Sequence, residues 1–164
     1  VCTVVGFPLG GTYTHAKLSE TSMAIVDGAE EIDMVINIAA MMNRDYETVA
    51  RDIEQVVSLC HQHSAITKVI VETCLLSEAQ KIDICKIVTN AGADFIKTST
   101  GFSTGGATAA DIRLMKSHVG PNVRIKASGG IRTFDFASEL IREGASRIGA
   151  SAGVQIVAEA RKNQ

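Results

Sequence analysis

A chain of 164 residues, 46% of them hydrophobic and with a net charge of −2, can bury one real core and has no electrostatic bias toward nucleic acid or anionic lipid. Aromatic residues at 4% leave little for stacking on bases. No run approaches the roughly 20 apolar residues of a bilayer span and no basic-then-apolar leader opens the sequence, so no membrane partner and a cytoplasmic location are expected.

The chain then reads as one unit repeated. Val1 to Phe7 is strand-like and is punctuated by Pro8-Leu9-Gly10-Gly11 before a helical pattern from about His15 to Asp27. Glu31 to Asn37 (EIDMVIN) is a second strand. A helix from about Asp45 to His63 follows, with Val49, Ile53, Val56, Val57 and Cys60 on one face. Ile66 to Thr73 (ITKVIVET) is the third strand, and Ser77 is placed to cap a helix that carries Ile82, Cys85 and Val88 and stops near Gly92. The fourth strand is Phe95 to Thr100. After the loop Ser103 to Ala107, Thr108 caps a helix through Met115 that ends before Gly120-Pro121. Arg124 to Ser128 is fifth, and Thr133 caps a helix that turns Phe136, Leu140 and Ile141 inward and ends near Gly144. Arg147 to Ser151 and a helix from Val154 to Lys162 close the series.

Strands that are nearly all apolar, each followed by a helix, require a parallel sheet covered by helices. A doubly wound open sheet and a (β/α)8 barrel both meet that requirement. The barrel is favoured because polar residues fall at the C-terminal ends of several strands: Asp33 and Asn37, Glu72 and Thr73, Lys97 and Ser99, Lys126 and Ser128, and Ser151. An open sheet would confine them to its switch point. Six units do not close eight strands, so the expected fold is a parallel TIM barrel with two units missing. No linker divides residues 1–164, which are expected to form a single, partial barrel domain.

The four cysteines, Cys2, Cys60, Cys74 and Cys85, lack C-x-x-C spacing and paired histidines. Buried free thiols are therefore expected in place of a metal site or disulfides. The histidines have no ligand-like spacing either, and all but His15 are expected to face solvent.

The candidate chemistry lies in two lysines. Lys97 in Phe95-Ile96-Lys97-Thr98-Ser99-Thr100-Gly101 and Lys126 in Arg124-Ile125-Lys126-Ala127-Ser128-Gly129-Gly130 occupy the third place of successive strands. In register they would stand about 4.8 Å apart. Burial and a like-charged neighbour both lower an amine's pKa. The product is a neutral nucleophile for a carbonyl, with Lys97 as the Schiff-base lysine and Lys126 as its activator; on spacing alone the roles are interchangeable. A single such lysine would read better as a structural partner of Asp33 or Glu72. Asp33 itself, inside an apolar strand, reads equally as a proton carrier between carbinolamine and enamine or as a salt bridge. Ser128-Gly129-Gly130 and Gly149 to Gly153 follow the last two strands, where barrels bind phosphate on backbone N–H groups, and Gly101 adds a donor. A small phosphorylated substrate is expected.

Together FIKTSTGF, VRIKASGGIRT, EIDMVIN, VCTVVGFPLG and RIGASAG resemble the deoxyribose-phosphate aldolases, in the family's order and along nearly the whole chain. The resemblance implies a class I aldolase of carbohydrate catabolism. Such an enzyme cleaves 2-deoxy-D-ribose 5-phosphate to D-glyceraldehyde 3-phosphate and acetaldehyde in a TIM barrel, with no cofactor and no metal. It also implies Lys97 as the Schiff-base lysine, Lys126 as the activating lysine, Asp33 as the proton relay, and Gly129, Gly130 and Ser151 at the phosphate. Two departures stand out. Phe102 occupies a place where some members have lysine, and Gly149-Ala150-Ser151-Ala152 lacks a second serine. The family also carries two βα units ahead of the first strand seen here, so these are its last six. Strand edges at both ends of such a sheet invite pairing. Upstream residues or a second copy, in a homo-oligomeric dimer, are the expected closure. The alternative is a truncated, non-catalytic remnant that only binds phosphosugars.

Overall fold

The computed structural model describes residues 1–162; Asn163 and Gln164, the last two of the expected 1–164 domain, lie outside them. The strands are β1 (Cys2–Val5), β2 (Glu31–Val35), β3 (Ile66–Ile70), β4 (Phe95–Lys97), β5 (Arg124–Ser128) and β6 (Arg147–Gly149). They form one parallel sheet in the order of the sequence. A helix lies between each strand and the next, as parallel neighbours require.

Alternation along each strand decides what each face holds. Ile32 and Met34, Val69, Ile96, and Ile125 and Ala127 all lie at or below 1% exposure in the apolar core. The intervening residues Glu31, Asp33, Lys68, Lys97, Lys126 and Arg147 share the other face. Arg147 on β6 bonds Glu31 on β2 at 2.5 Å. Side chains on strands four places apart meet only if the sheet curls, so the six strands make a half-barrel of the TIM type, with the charged residues on its concave side.

The helices are α1 (Thr14–Val26), α2 (Ile38–Met42), α3 (Tyr46–Gln62), α4 (Glu78–Asn90), α5 (Ala109–His118), α6 (Phe134–Arg142) and α7 (Gly153–Lys162). Side-chain caps start four of the longer ones. Asp45 accepts from Thr48 N, Thr108 from Asp111 N and Thr133 from Phe136 N, while Ser77 forms a capping box with Gln80. The α3 residues Val49, Ile53, Val56, Val57 and Cys60 are all buried, matching their spacing.

Several expectations are corrected. All strands but β5, which runs from Arg124 to Ser128 as expected, stop two to three residues early because the chain turns into loops that carry polar groups: β3 ends at Ile70, and Glu72 takes a left-handed backbone (φ 54°, ψ 63°) before the 3-10 turn Thr73–Leu75. Helix α2, five residues long and capped by Asn37 on Ala40 N, is too short to show periodicity. Ile141 is 55% exposed, not inward, because α6 directs Ala137 and Leu140 at the core. His15 is exposed like the other histidines. Of the four free cysteines only Cys60 and Cys85 are buried; burial pushes the Cys85 thiol up to about 12, which leaves it inert.

Candidate active site

Asp33, 2% exposed in the middle of β2, is the centre of the concave face. Its Oδ2 accepts from Lys97 Nζ and from Lys126 Nζ, each at 2.7 Å, and its Oδ1 accepts from Lys68 Nζ at 2.7 Å. Lys97 and Lys126 are register partners on β4 and β5, and Asp33 and Lys68 are partners on β2 and β3. Partners in a parallel pair project to the same face, so three adjacent strands deliver amines toward one carboxylate. Behind it, Glu31 Oε2 accepts from Lys68 at 2.6 Å and from Arg147 at 2.5 Å.

Hydroxyls fix the two lysine strands to each other. The Thr98 hydroxyl donates to Ser128 O at 3.0 Å and accepts from Ser128 N at 3.1 Å, while Ser128 Oγ donates to Ser99 O at 2.7 Å. All three residues are buried. Their polar groups, satisfied within the protein, lock the ends of β4 and β5.

The ionisation of the cluster follows from its geometry. Burial lowers the pKa of Lys97 and the Lys126 charge lowers it further, against the opposing pull of Asp33. Burial pushes the Asp33 carboxyl up, but the Lys97 charge and the hydrogen bonds from Lys126, Lys68 and Lys97 hold it well below the usual carboxylate range. Burial likewise works against charge on Lys68, and its bonds to Asp33 and Glu31 reverse this and raise it. Two carboxylates thus face four cationic groups. Of the lysines in the cluster, Lys97 is the one whose pKa is lowered, by burial and by the Lys126 charge.

A cavity of about 400 Å³ opens beside Lys97 and Lys126 at the C-terminal ends of β4, β5 and β6. Its walls include Gly101, Gly129, Gly130 and Ser151, together with Arg132 and Phe102. The loops after β4 and β5 pack so closely that a Cβ at Gly106 would lie 2.2 Å from Gly129 O, and Gly129 itself has φ +86°. Only glycine fits both conditions. The carboxylate of Glu72 accepts from Thr100 N at 3.2 Å and from the Thr100 hydroxyl, and so holds the wall that carries Gly101. Phe102 sits at the rim, edge-on to Phe7 with ring centres 5.3 Å apart.

The candidate catalytic and phosphate-binding residues therefore lie in one place: Lys97, Lys126 and Asp33 in the charged cluster, and Gly101, Gly129, Gly130 and Ser151 around the adjoining cavity; Asn37 instead caps α2. Four others went unmarked. Lys68 stands third in Ile66-Thr67-Lys68, as Lys97 and Lys126 stand third in their strands, and that repetition was the available signal. Glu31 and Arg147, at strand starts, and Arg132, after a glycine pair, carry no local signal. Glu72 holds Thr100 and none of the lysines. No group of His, Cys, Asp and Glu among the described residues is arranged to hold a metal.

Comparison with known proteins follows the same lines. Residues 1–159 match the model of the DeoC/LacD family aldolases. The chain is 55% identical over 161 residues to the deoxyribose-phosphate aldolase of Thermococcus gammatolerans, covering 98% of this chain and 72% of that protein. It is 57% identical over 157 residues to the deoxyribose-phosphate aldolase of Bacillus cytotoxicus, covering 96% and 70%. Among solved structures, the aldolase QR15 superposes with a TM-score of 0.93 at 43% identity, over 99% of this chain and 73% of that one. The tetrameric deoxyribose phosphate aldolase of Aeropyrum pernix gives 0.91 at 32% identity, over 99% and 68%. With residues 1–159 matching the family model and the lysine cluster built on a half-barrel, the chain belongs to the DeoC/LacD family of aldolases.

Proposed function

We propose that this protein is a deoxyribose-phosphate aldolase that cleaves 2-deoxy-D-ribose 5-phosphate to D-glyceraldehyde 3-phosphate and acetaldehyde through a Schiff base on Lys97. The carrying observation is an amine with a lowered pKa, open to a cavity and 2.7 Å from a carboxylate oxygen that it shares with a second lysine. The names of the relatives support the substrate.

In this reading the neutral Lys97 amine attacks the C1 aldehyde of the open-chain sugar. The carbinolamine loses water to an iminium ion whose positive charge Asp33 faces. The C3 hydroxyl gives up its proton and the C2–C3 bond breaks. Its electron pair moves into the iminium as an enamine, and glyceraldehyde 3-phosphate departs. Protonation of the enamine at C2 and hydrolysis then release acetaldehyde and restore the amine. Asp33 and Lys126, joined by a 2.7 Å hydrogen bond, carry these protons. The phosphate lies at the far end of the cavity against the backbone N–H groups of Gly101, Gly129, Gly130 and Ser151, with Arg132 as a cation there. Phe102 at the rim contributes no charge, so the glycine loops bear more of the binding.

The same proposal includes a cytoplasmic location, a place in carbohydrate catabolism and a homodimer. No helix among the described residues is long and apolar enough to cross a membrane.

Incubation with acetaldehyde and borohydride, followed by peptide mass mapping, tests the mechanism. One ethyl group on Lys97 is expected, together with release of glyceraldehyde 3-phosphate from the sugar phosphate. A protein that yields neither product is not this enzyme.

A further inference from the structure

Lys68 is the third amine of the cluster and the one without a surface on the cavity. It is fully buried, and the cavity walls include Lys97 and Lys126 but not Lys68. It therefore has no route to a substrate carbonyl. Its contacts run in line across the concave face: Arg147 from β6 to Glu31 Oε2 at 2.5 Å, Glu31 Oε2 to Lys68 Nζ at 2.6 Å, and Lys68 Nζ to Asp33 Oδ1 at 2.7 Å. From β1, Cys2 Sγ lies 3.4 Å from both Lys68 Nζ and Asp33 Oδ1. Lys97 from β4 and Lys126 from β5 complete the charged groups around Asp33, and both contact Oδ2. The two carboxylate oxygens are thus divided without overlap, Oδ1 to the buried amine and Oδ2 to the two cavity amines.

That division matters because a carboxylate turns freely about its last torsion, where the energy wells are broad. With both oxygens open to the cavity, Asp33 would spread its contacts over Lys97 and Lys126 in several orientations. A charged donor fixed behind it removes that freedom. We infer that Lys68 is a positioning residue of the reaction, which by filling Oδ1 of Asp33 presents Oδ2 alone to the Schiff-base amine and to its activating lysine. Glu31 and Arg147 hold Lys68 in turn, and its raised pKa keeps it a donor at working pH. The same contacts explain why Lys68 is not a second nucleophile: it is held by two carboxylates, while Lys97 shares one oxygen with a competing cation.

The inference rests on the reading of Lys97 as the Schiff-base lysine, and the experiment separates the two. The unaltered protein is first tested for the ethyl adduct at Lys97; its absence would defeat that reading and, with it, this inference. Lys68→Met, Lys68→Gln and Lys68→Arg are then compared for cleavage of 2-deoxyribose 5-phosphate across pH. Because the lost function is orientation, kcat is expected to fall up to about 100-fold in the Met and Gln variants, with KM little changed. The acid limb of kcat is expected to move to higher pH as Asp33 loses a cation, and Lys68→Arg to restore part of both. The adduct at Lys97 still forms in all three. If the Met and Gln variants keep kcat and the acid limb of the parent, or if they lose activity with the limb unmoved and no recovery in Lys68→Arg, Lys68 is scaffold and the inference fails. It fails equally if neither neutral variant folds.

Discussion

Lys97 and Lys126 stand opposite each other in register on β4 and β5, and their ammonium nitrogens converge on a single oxygen of Asp33, each at 2.7 Å. Two like charges held this close disfavour each other, and burial disfavours both. The carboxylate between them offsets that repulsion, and the Lys97 pKa is nonetheless lowered. Four consequences can be measured.

Lys126→Ala removes a charge that lowers the Lys97 pKa. The Lys97 amine should then keep its proton to higher pH. The pH at which half-maximal borohydride adduct forms is expected to rise, and mass mapping across a pH series reads the shift. Turnover should fall further than adduct formation does, because a proton carrier is lost as well, by about 100-fold or more.

Asp33→Asn acts in the opposite sense on Lys97, whose charge Asp33 stabilises, so the adduct should persist to lower pH while cleavage is lost. It also leaves Lys97 and Lys126 without a carboxylate and Lys68 with Glu31 alone, at a cost of about 3–5 kcal/mol by urea unfolding near neutral pH. The carboxyl pKa is depressed in the folded protein. Its contribution to stability is therefore present above the unfolded value of about 3.9 and is lost as pH falls through the folded value. The Asn variant should lack that part of the acid transition.

Lys97→Met should inactivate the protein and yet stabilise it. The folded pKa of Lys97 is lowered, so between that value and the unfolded value of about 10.4 the unfolded chain binds more protons. The penalty of holding the charge is full below the folded pKa and disappears as pH rises through this window. Removing the amine removes the penalty, while Asp33 keeps Lys68 and Lys126 as partners. A gain of about 1 kcal/mol at neutral pH is expected. Calorimetry at pH 7 and pH 10 should show the advantage shrinking at the higher pH.

Glu72→Gln weakens the hold on Thr100, since a carboxylate accepting from both N–H and hydroxyl becomes an amide with one acceptor oxygen. The wall that carries Gly101 should loosen. The expected result is a KM for the sugar phosphate raised several-fold with a smaller change in kcat, whereas adduct formation with acetaldehyde, which has no phosphate, should be unaffected.

Much of this was legible in the sequence because the governing rules are local. The alternation of strand residues sent Ile96 and Ile125 to the core and Lys97 and Lys126 to the opposite face, and the caps at Ser77, Thr108 and Thr133 stand where their residue types predict. The motif order alone identified the family. What only the tertiary structure decided are relations that depend on how strongly the sheet curls. Arg147 meets Glu31 although 116 residues separate them, Lys68 faces Asp33 from the next strand and claims one of its two oxygens, and Glu72 leaves its strand to hold Thr100. A sequence lists the side chains on a face; the curvature of the sheet sets which of them come within hydrogen-bond distance, and that distance brings three lysines onto one carboxylate, two at its Oδ2 and one at its Oδ1.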